Sequence, residues 1–128
     1  MNLRYQKVLF IIPPFEFGSR IEGVSKVSKT PTMLLPGIGY LSETLTKNKI
    51  TNNIFDFRLD YTFSDLKEKI DIFKPDLIAI TVPSTYRRDL PFSIVQYLKQ
   101  NDIQNYDVII GGPHVSLFGK VALEECDA

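Results

Sequence analysis

The chain of 128 residues has no tryptophan, a single cysteine and a single histidine, and its fifteen Lys and Arg residues balance fifteen Asp and Glu. Each shortage excludes something. A lone Cys126 permits no internal disulfide and no multi-cysteine metal site, which fits a reducing compartment. A formal net charge of zero leaves no overall field to draw nucleic acid or an anionic membrane, and no basic cluster exceeds the pair Arg87-Arg88. Neither class of partner is expected. Long apolar runs are missing too. The first, Val8 to Ile12, is too short for a signal-peptide core and far too short to cross a bilayer, so a cytoplasmic protein is expected.

Phosphate-binding glycine patterns are also lacking. Neither Gly-x-x-x-x-Gly-Lys-Ser/Thr nor Gly-x-Gly-x-x-Gly follows Ile12. Pro36-Gly37-Ile38-Gly39 begins such a pattern but lies far along the chain and has no third glycine. Ile11-Ile12-Pro13-Pro14 offers neither the acidic residues of a phosphoacceptor domain nor the Ser, Thr and Gly of a flavin loop.

What is present describes one soluble domain over residues 1–128, with 44% hydrophobic and 23% charged residues. Val8 to Ile12, Leu77 to Ile80 and Val108 to Ile110 are unbroken apolar runs rich in β-branched residues, bounded by Pro, Asp or Gly. Continuous apolarity predicts strands covered on both faces, as in parallel sheets. Asn53 to Phe57 is more mixed and suits an edge strand. Between the runs the period changes to that of helices. Ile38, Leu41 and Leu45 form one stripe, and Phe63, Leu66, Ile70 and Phe73 form a second, with Thr62 and Asp65 placed for a capping box and Lys74-Pro75 as its stop. In a third helix Ile94, Val95 and Leu98 face inward, Asp89 is a cap and Pro91 lies in the first turn. A short last helix is expected over Lys120 to Cys126.

Strictly alternating β and α elements predict an α/β fold: a doubly wound, flavodoxin-like (Rossmann-like) parallel sheet with strand order 2-1-3-4. Such sheets usually carry a fifth strand. None follows Glu124-Glu125-Cys126-Asp127-Ala128, so a fragment of a longer protein is expected. The connection from Pro13 to Leu35 is long for a βα loop, and long loops in compact domains are commonly binding loops.

Ligands of open α/β sheets bind beyond the carboxyl ends of the strands. Those ends are Pro13-Pro14-Phe15, Val82-Pro83-Ser84-Thr85 and Gly111-Gly112-Pro113-His114. No paired acid, base or nucleophile stands among them, so no catalytic residue is nominated and no metal ligand either.

Lys7-Val8-Leu9-Phe10-Ile11-Ile12-Pro13-Pro14-Phe15 resembles the opening of the cobalamin-binding domain of cobalamin-dependent radical S-adenosylmethionine (SAM) enzymes. Pro36-Gly37-Ile38-Gly39-Tyr40-Leu41 is similar to that domain's first helix, Pro75 to Thr81 to its third strand and Ile109 to Val115 to its fourth. The resemblance implies bound cobalamin, with Pro14, Phe15, Ser84, Thr85, Gly111, Gly112 and His114 as contact residues. Gly111 and Gly112 would floor a slot for the nucleotide tail, and the loop carrying Phe15 and Phe17 would cover a ring face. Many such domains place Asp-x-His-x-x-Gly after the first strand. Pro13-Pro14-Phe15-Glu16-Phe17-Gly18 has no His, which implies a lower cobalt face without a protein imidazole. The family also implies a downstream radical SAM barrel in the parent chain, carrying an iron–sulfur cluster and SAM for methyl transfer or another radical reaction.

Plainer roles stand beside these. Gly111-Gly112 can make a tight turn, His114 can be a cap, Ser84 and Thr85 can be turn residues, and Arg87-Arg88 can be a solvated start to a helix. Two alternatives remain open at this point: a degenerate domain of the same fold serving as scaffold or docking module, and a free-standing flavodoxin-like enzyme acting on a nucleotide or sugar.

Overall fold

The structure, a computed structural model, describes residues 3–14, 35–101 and 105–126. Its elements run β1 (Lys7–Ile12), α1 (Pro36–Lys47), β2 (Thr51–Asp56), a 3₁₀ turn (Phe57–Leu59), α2 (Phe63–Phe73), β3 (Leu77–Thr81), α3 (Asp89–Gln100), β4 (Asp107–Gly111), α4 (Pro113–Phe118) and α5 (Lys120–Glu125). The strands form one parallel sheet in the order β2-β1-β3-β4, a doubly wound flavodoxin-like arrangement.

The apolar runs explain which strands lie in the middle. In β1, Leu9 and Ile11 point to one face and Val8 and Phe10 to the other, and all four are buried. Ile78 and Ile80 of β3 extend the first face, where Leu66 and Ile70 of α2 and Ile94, Val95 and Leu98 of α3 close the main core. The second face is thinner. Val8, Phe10 and Leu77 are covered there by half-buried Ile38 and Leu45 of α1. Leu41, expected in that stripe, is 55% exposed, because α1 touches the sheet along a narrower line than its sequence spacing indicates.

Local signals end α2 as expected. Asp65 N–H donates to the Thr62 hydroxyl at 3.3 Å and Thr62 N–H donates to the Asp65 carboxylate at 2.7 Å, closing the capping box. At its far end Lys74 takes a left-handed conformation, with φ 53°, and Pro75 follows.

Four further expectations need correction. β2 spans Thr51–Asp56, not Asn53 to Phe57, and Phe57 begins the 3₁₀ turn instead. Asp89 does not cap α3: Arg88 holds that position and Asp89 is the first helical residue, its carboxylate bound by the Arg87 guanidinium. β4 is apolar but not covered on both faces. Val108 and Ile110 pack on the main core while Ile109 is 49% exposed, since α1 does not reach over this edge strand. Finally, the chain after β4 is helical earlier than expected. Pro113 starts α4, and Gly119 at φ 54° breaks the path into α4 and α5.

At the amino end of the strands, Asp76 ties three of them together. Its N–H donates to Lys7 O at 2.9 Å and its carbonyl accepts from Asp107 N–H at 3.0 Å. Its carboxylate accepts from the N–H groups of Gln6 at 2.8 Å and Lys7 at 3.0 Å. Among the described residues, no helix is long and apolar enough to cross a membrane.

Candidate functional site

The opposite rim, at the carboxyl ends of the strands, carries the residues singled out by sequence. After β1, Pro13 is buried and Pro14 half-buried, while Phe15 and Phe17 lie outside the described residues. After β2, Asp56 is taken up by Arg58 in a largely buried ion pair, with Nε at 2.9 Å and Nη2 at 2.8 Å from its oxygens. After β3, Val82 is buried, Pro83 and Ser84 are exposed, and Thr85 is half-buried.

The two glycines after β3's neighbour behave differently. Gly112 has φ 101° and ψ −174°, a region that essentially only glycine occupies. A Cβ there would stand 2.8 Å from Thr81 Oγ1, 3.1 Å from Val82 O and 3.3 Å from Val82 N. The space beside Gly112 is therefore filled by the Thr81 hydroxyl and the Val82 backbone. Two hydrogen bonds hold this closure: Val82 N–H donates to Gly111 O at 2.7 Å, and His114 N–H donates to Val82 O at 3.3 Å. Gly111 faces open space, with nothing within 4 Å of a Cβ built on it. Of the expected glycine floor, Gly111 is the open part and Gly112 a packing element.

His114 points inward. It is 1% exposed, with the Phe118 ring at 4.8 Å and the Phe92 ring edge-on at 6.0 Å. Its Nδ1 lies 2.9 Å from Thr85 Oγ1. Its Nε2 has no hydrogen-bond partner, and Glu125 Oε2 stands 3.6 Å away, beyond bonding distance. Arg88 completes the cluster, pairing through Nε with that carboxylate at 2.9 Å and donating from Nη1 to Thr85 O at 2.9 Å. The structure thus joins Thr85 to His114 and leaves Pro14, Ser84 and Gly111 presented at the rim.

Glu125 and Arg88 were not legible as partners of His114. Thirty-odd residues separate Arg88 from Glu125, and only the chain reversal at Gly119 brings α5 back against the start of α3. Two shallow grooves flank α3: one of about 400 Å³ between Phe63, Tyr97 and Cys126, and one of about 550 Å³ between Glu125 and the connection after β3, at Tyr86 and Arg88. Asp89 borders both, and its hydrogen bond from Arg87 holds its carboxyl below the usual range. Among the described residues, no three His, Cys, Asp or Glu side chains gather where they could hold a metal ion.

No family model matches the chain, and no solved structure matches it. Among curated proteins, it is 29% identical over 124 residues to an uncharacterized methyltransferase of Pyrococcus horikoshii. The match takes in 97% of this chain and 25% of that protein, so the chain spans about a quarter of its relative's length. A flavodoxin-like sheet with an open carboxyl rim is thus joined, over nearly its whole length, to a distant relative named as a methyltransferase.

Proposed function

We propose that this domain is a cobalamin-binding module serving methyl transfer or another radical reaction carried out by a separate domain of a longer protein. One observation carries the proposal: at Gly111, the carboxyl end of β4, nothing lies within 4 Å of where a Cβ would stand. A flat macrocycle with a trailing nucleotide needs such a bare spot on a strand-end rim, where backbone and ligand can approach closely. Similarity to a protein named as a methyltransferase supports the same reading.

The residues fit a corrinoid held by shape and hydrogen bonds. Pro14 and Pro83 give the rim rigid apolar shoulders, and the exposed Ser84 hydroxyl is available to the ligand's amide arms. His114 is buried with its ring turned to Thr85 and Glu125, so its part is to shape the rim rather than to meet cobalt. When bound, cobalamin would supply a carrier for a methyl group. The radical SAM barrel, with its cluster and SAM, belongs in this reading to the remainder of the parent chain.

A second reading has its own observation. Leu117, Val121 and Ile109 are 76%, 48% and 49% exposed, which suits a module that docks against another protein and binds no corrinoid. Titration with hydroxocobalamin, read by corrin absorbance after gel filtration, separates the two. The cofactor reading expects retention by the wild type and a loss of roughly tenfold or more in affinity for Gly111→Trp, with unchanged thermal unfolding. Wild-type binding weaker than about 1 mM, equivalent to about 4 kcal/mol, or equal binding by Gly111→Trp, refutes it.

A further inference from the structure

The cluster of Thr85, His114, Glu125 and Arg88 contains a buried polar atom that no hydrogen bond satisfies, His114 Nε2. Buried polar groups are rarely left so, and each exception asks for a physical account. A neutral imidazole has one N–H and one bare lone pair, and the neighbours decide which nitrogen has which.

Two arrangements are available. With the proton on Nδ1, the bare Nε2 lone pair would face the Glu125 carboxylate at 3.6 Å, setting electron density against negative charge. With the proton on Nε2, the N–H dipole points at that carboxylate, and Nδ1 becomes an acceptor 2.9 Å from the Thr85 hydroxyl. Electrostatics selects the second. Arg88 strengthens the choice by holding Glu125 in place as a charged carboxylate, 2.9 Å from its own Nε. Phe92 and Phe118 pack on the ring and bring no competing donor or acceptor.

A hydroxyl has one proton to give. If it goes to Nδ1, Thr85 Oγ1 keeps only lone pairs for any other group. We infer that His114 is a positioning residue: its Nε2–H faces Glu125, its Nδ1 accepts from Thr85, and Thr85 is thereby fixed as an acceptor at the rim, selecting ligand groups that donate, such as amide N–H or hydroxyl, over phosphate oxygens. This deepens the ligand-holding reading and rests on it for the selectivity, whereas the proton placement stands on the cluster alone.

The chain's single histidine makes the measurement unambiguous, because long-range proton–nitrogen correlation spectra of the uniformly labelled chain contain one imidazole. At neutral pH the expected spectrum has the form with Nε2 protonated and Nδ1 bare as the major one. Glu125→Gln, which removes the negative charge facing Nε2 and whose amide can donate to it, should lower the share of that form. Thr85→Val should shift the Nδ1 resonance toward that of free imidazole, and Thr85→Ser should leave it in place. A ring protonated on Nδ1 or on both nitrogens, or a tautomer ratio indifferent to Glu125→Gln, overturns the inference. So does an Nδ1 resonance indifferent to Thr85→Val.

The ligand is tested with hydroxocobalamin. Thr85→Val is expected to weaken binding by roughly tenfold while Thr85→Ser preserves it. Equal binding by Thr85→Val overturns the selectivity. If the wild type shows the expected tautomer but binds no hydroxocobalamin, the proton placement stands and the cofactor reading falls.

Discussion

Replacing Gly112 by alanine should be among the most damaging single-methyl changes available in this protein. At φ 101° and ψ −174° the backbone sits where an L side chain costs about 1–3 kcal/mol. The added Cβ would also press on three atoms at 2.8–3.3 Å. Thr81 Oγ1 can rotate away. The Val82 amide and carbonyl cannot, because one donates to Gly111 O at 2.7 Å and the other accepts from His114 N–H at 3.3 Å. Loss of those two bonds adds about 0.5–1.5 kcal/mol each, so the whole effect is about 2–6 kcal/mol. Against a typical domain stability of about 5–15 kcal/mol, that is a large fraction.

Urea unfolding is the assay, followed by far-ultraviolet circular dichroism since the chain has no tryptophan. Gly111→Ala is the control. Its Cβ meets nothing within 4 Å, so stability should stay within about 0.5 kcal/mol of wild type. If Gly112→Ala is as stable as Gly111→Ala, the close approach of the loops after β3 and β4 is wrong. The contrast also decides which glycine may be used to probe a ligand. A bulky residue at Gly112 would abolish binding merely by disturbing the fold, and only Gly111 gives an interpretable result.

Two further outcomes follow from side chains away from the rim. The buried Tyr106 hydroxyl has no hydrogen-bond partner, and burial, with Tyr97 adding to it, pushes its pKa up to about 12. An unfolded tyrosine ionises near pH 10, so between about pH 10 and 12 the unfolded chain releases its proton first and stability falls as pH rises. The ring is only half-buried, and with solvent screening the effect on stability is about 1 kcal/mol. Tyr106→Phe should remove this alkaline slope in urea titrations and cost little at neutral pH; an unchanged slope refutes the assignment. Thr62→Ala removes the hydroxyl half of the α2 capping box and should lower stability by about 1 kcal/mol, with Thr62→Ser recovering most of it in the same assay.

Much of the fold was readable because its signals are local. The apolar run Val8 to Ile12 had to be a central strand, and Thr62 with Asp65 had to start a helix, whatever surrounds them. β4 misled for a physical reason. Its run of Val108, Ile109 and Ile110 matches that of a covered strand, but coverage depends on where α1 lies, and a strand's own residues do not carry that. The site divided along the same line. Strand-end topology located the rim, and the doubled glycine after β4 marked a special backbone. Which glycine is open and which is filled depends on Thr81 and Val82, thirty residues away in sequence. The inward turn of His114 was equally hidden, since it depends on Glu125 arriving from the last helix.

The grip of Asp76 on its neighbours has a consequence for how this scaffold can vary. One residue fastens β1, β3 and β4 in mutual alignment at the end remote from the rim, through its own peptide groups and its carboxylate. The alignment of the strands at that end therefore needs nothing from the connections at the far edge, and outside the fixed closure of Val82 on Gly111 and His114 those connections are free to change in length and chemistry. The sheet works as a mount whose fittings are interchangeable, able to exchange one cargo for another without being rebuilt.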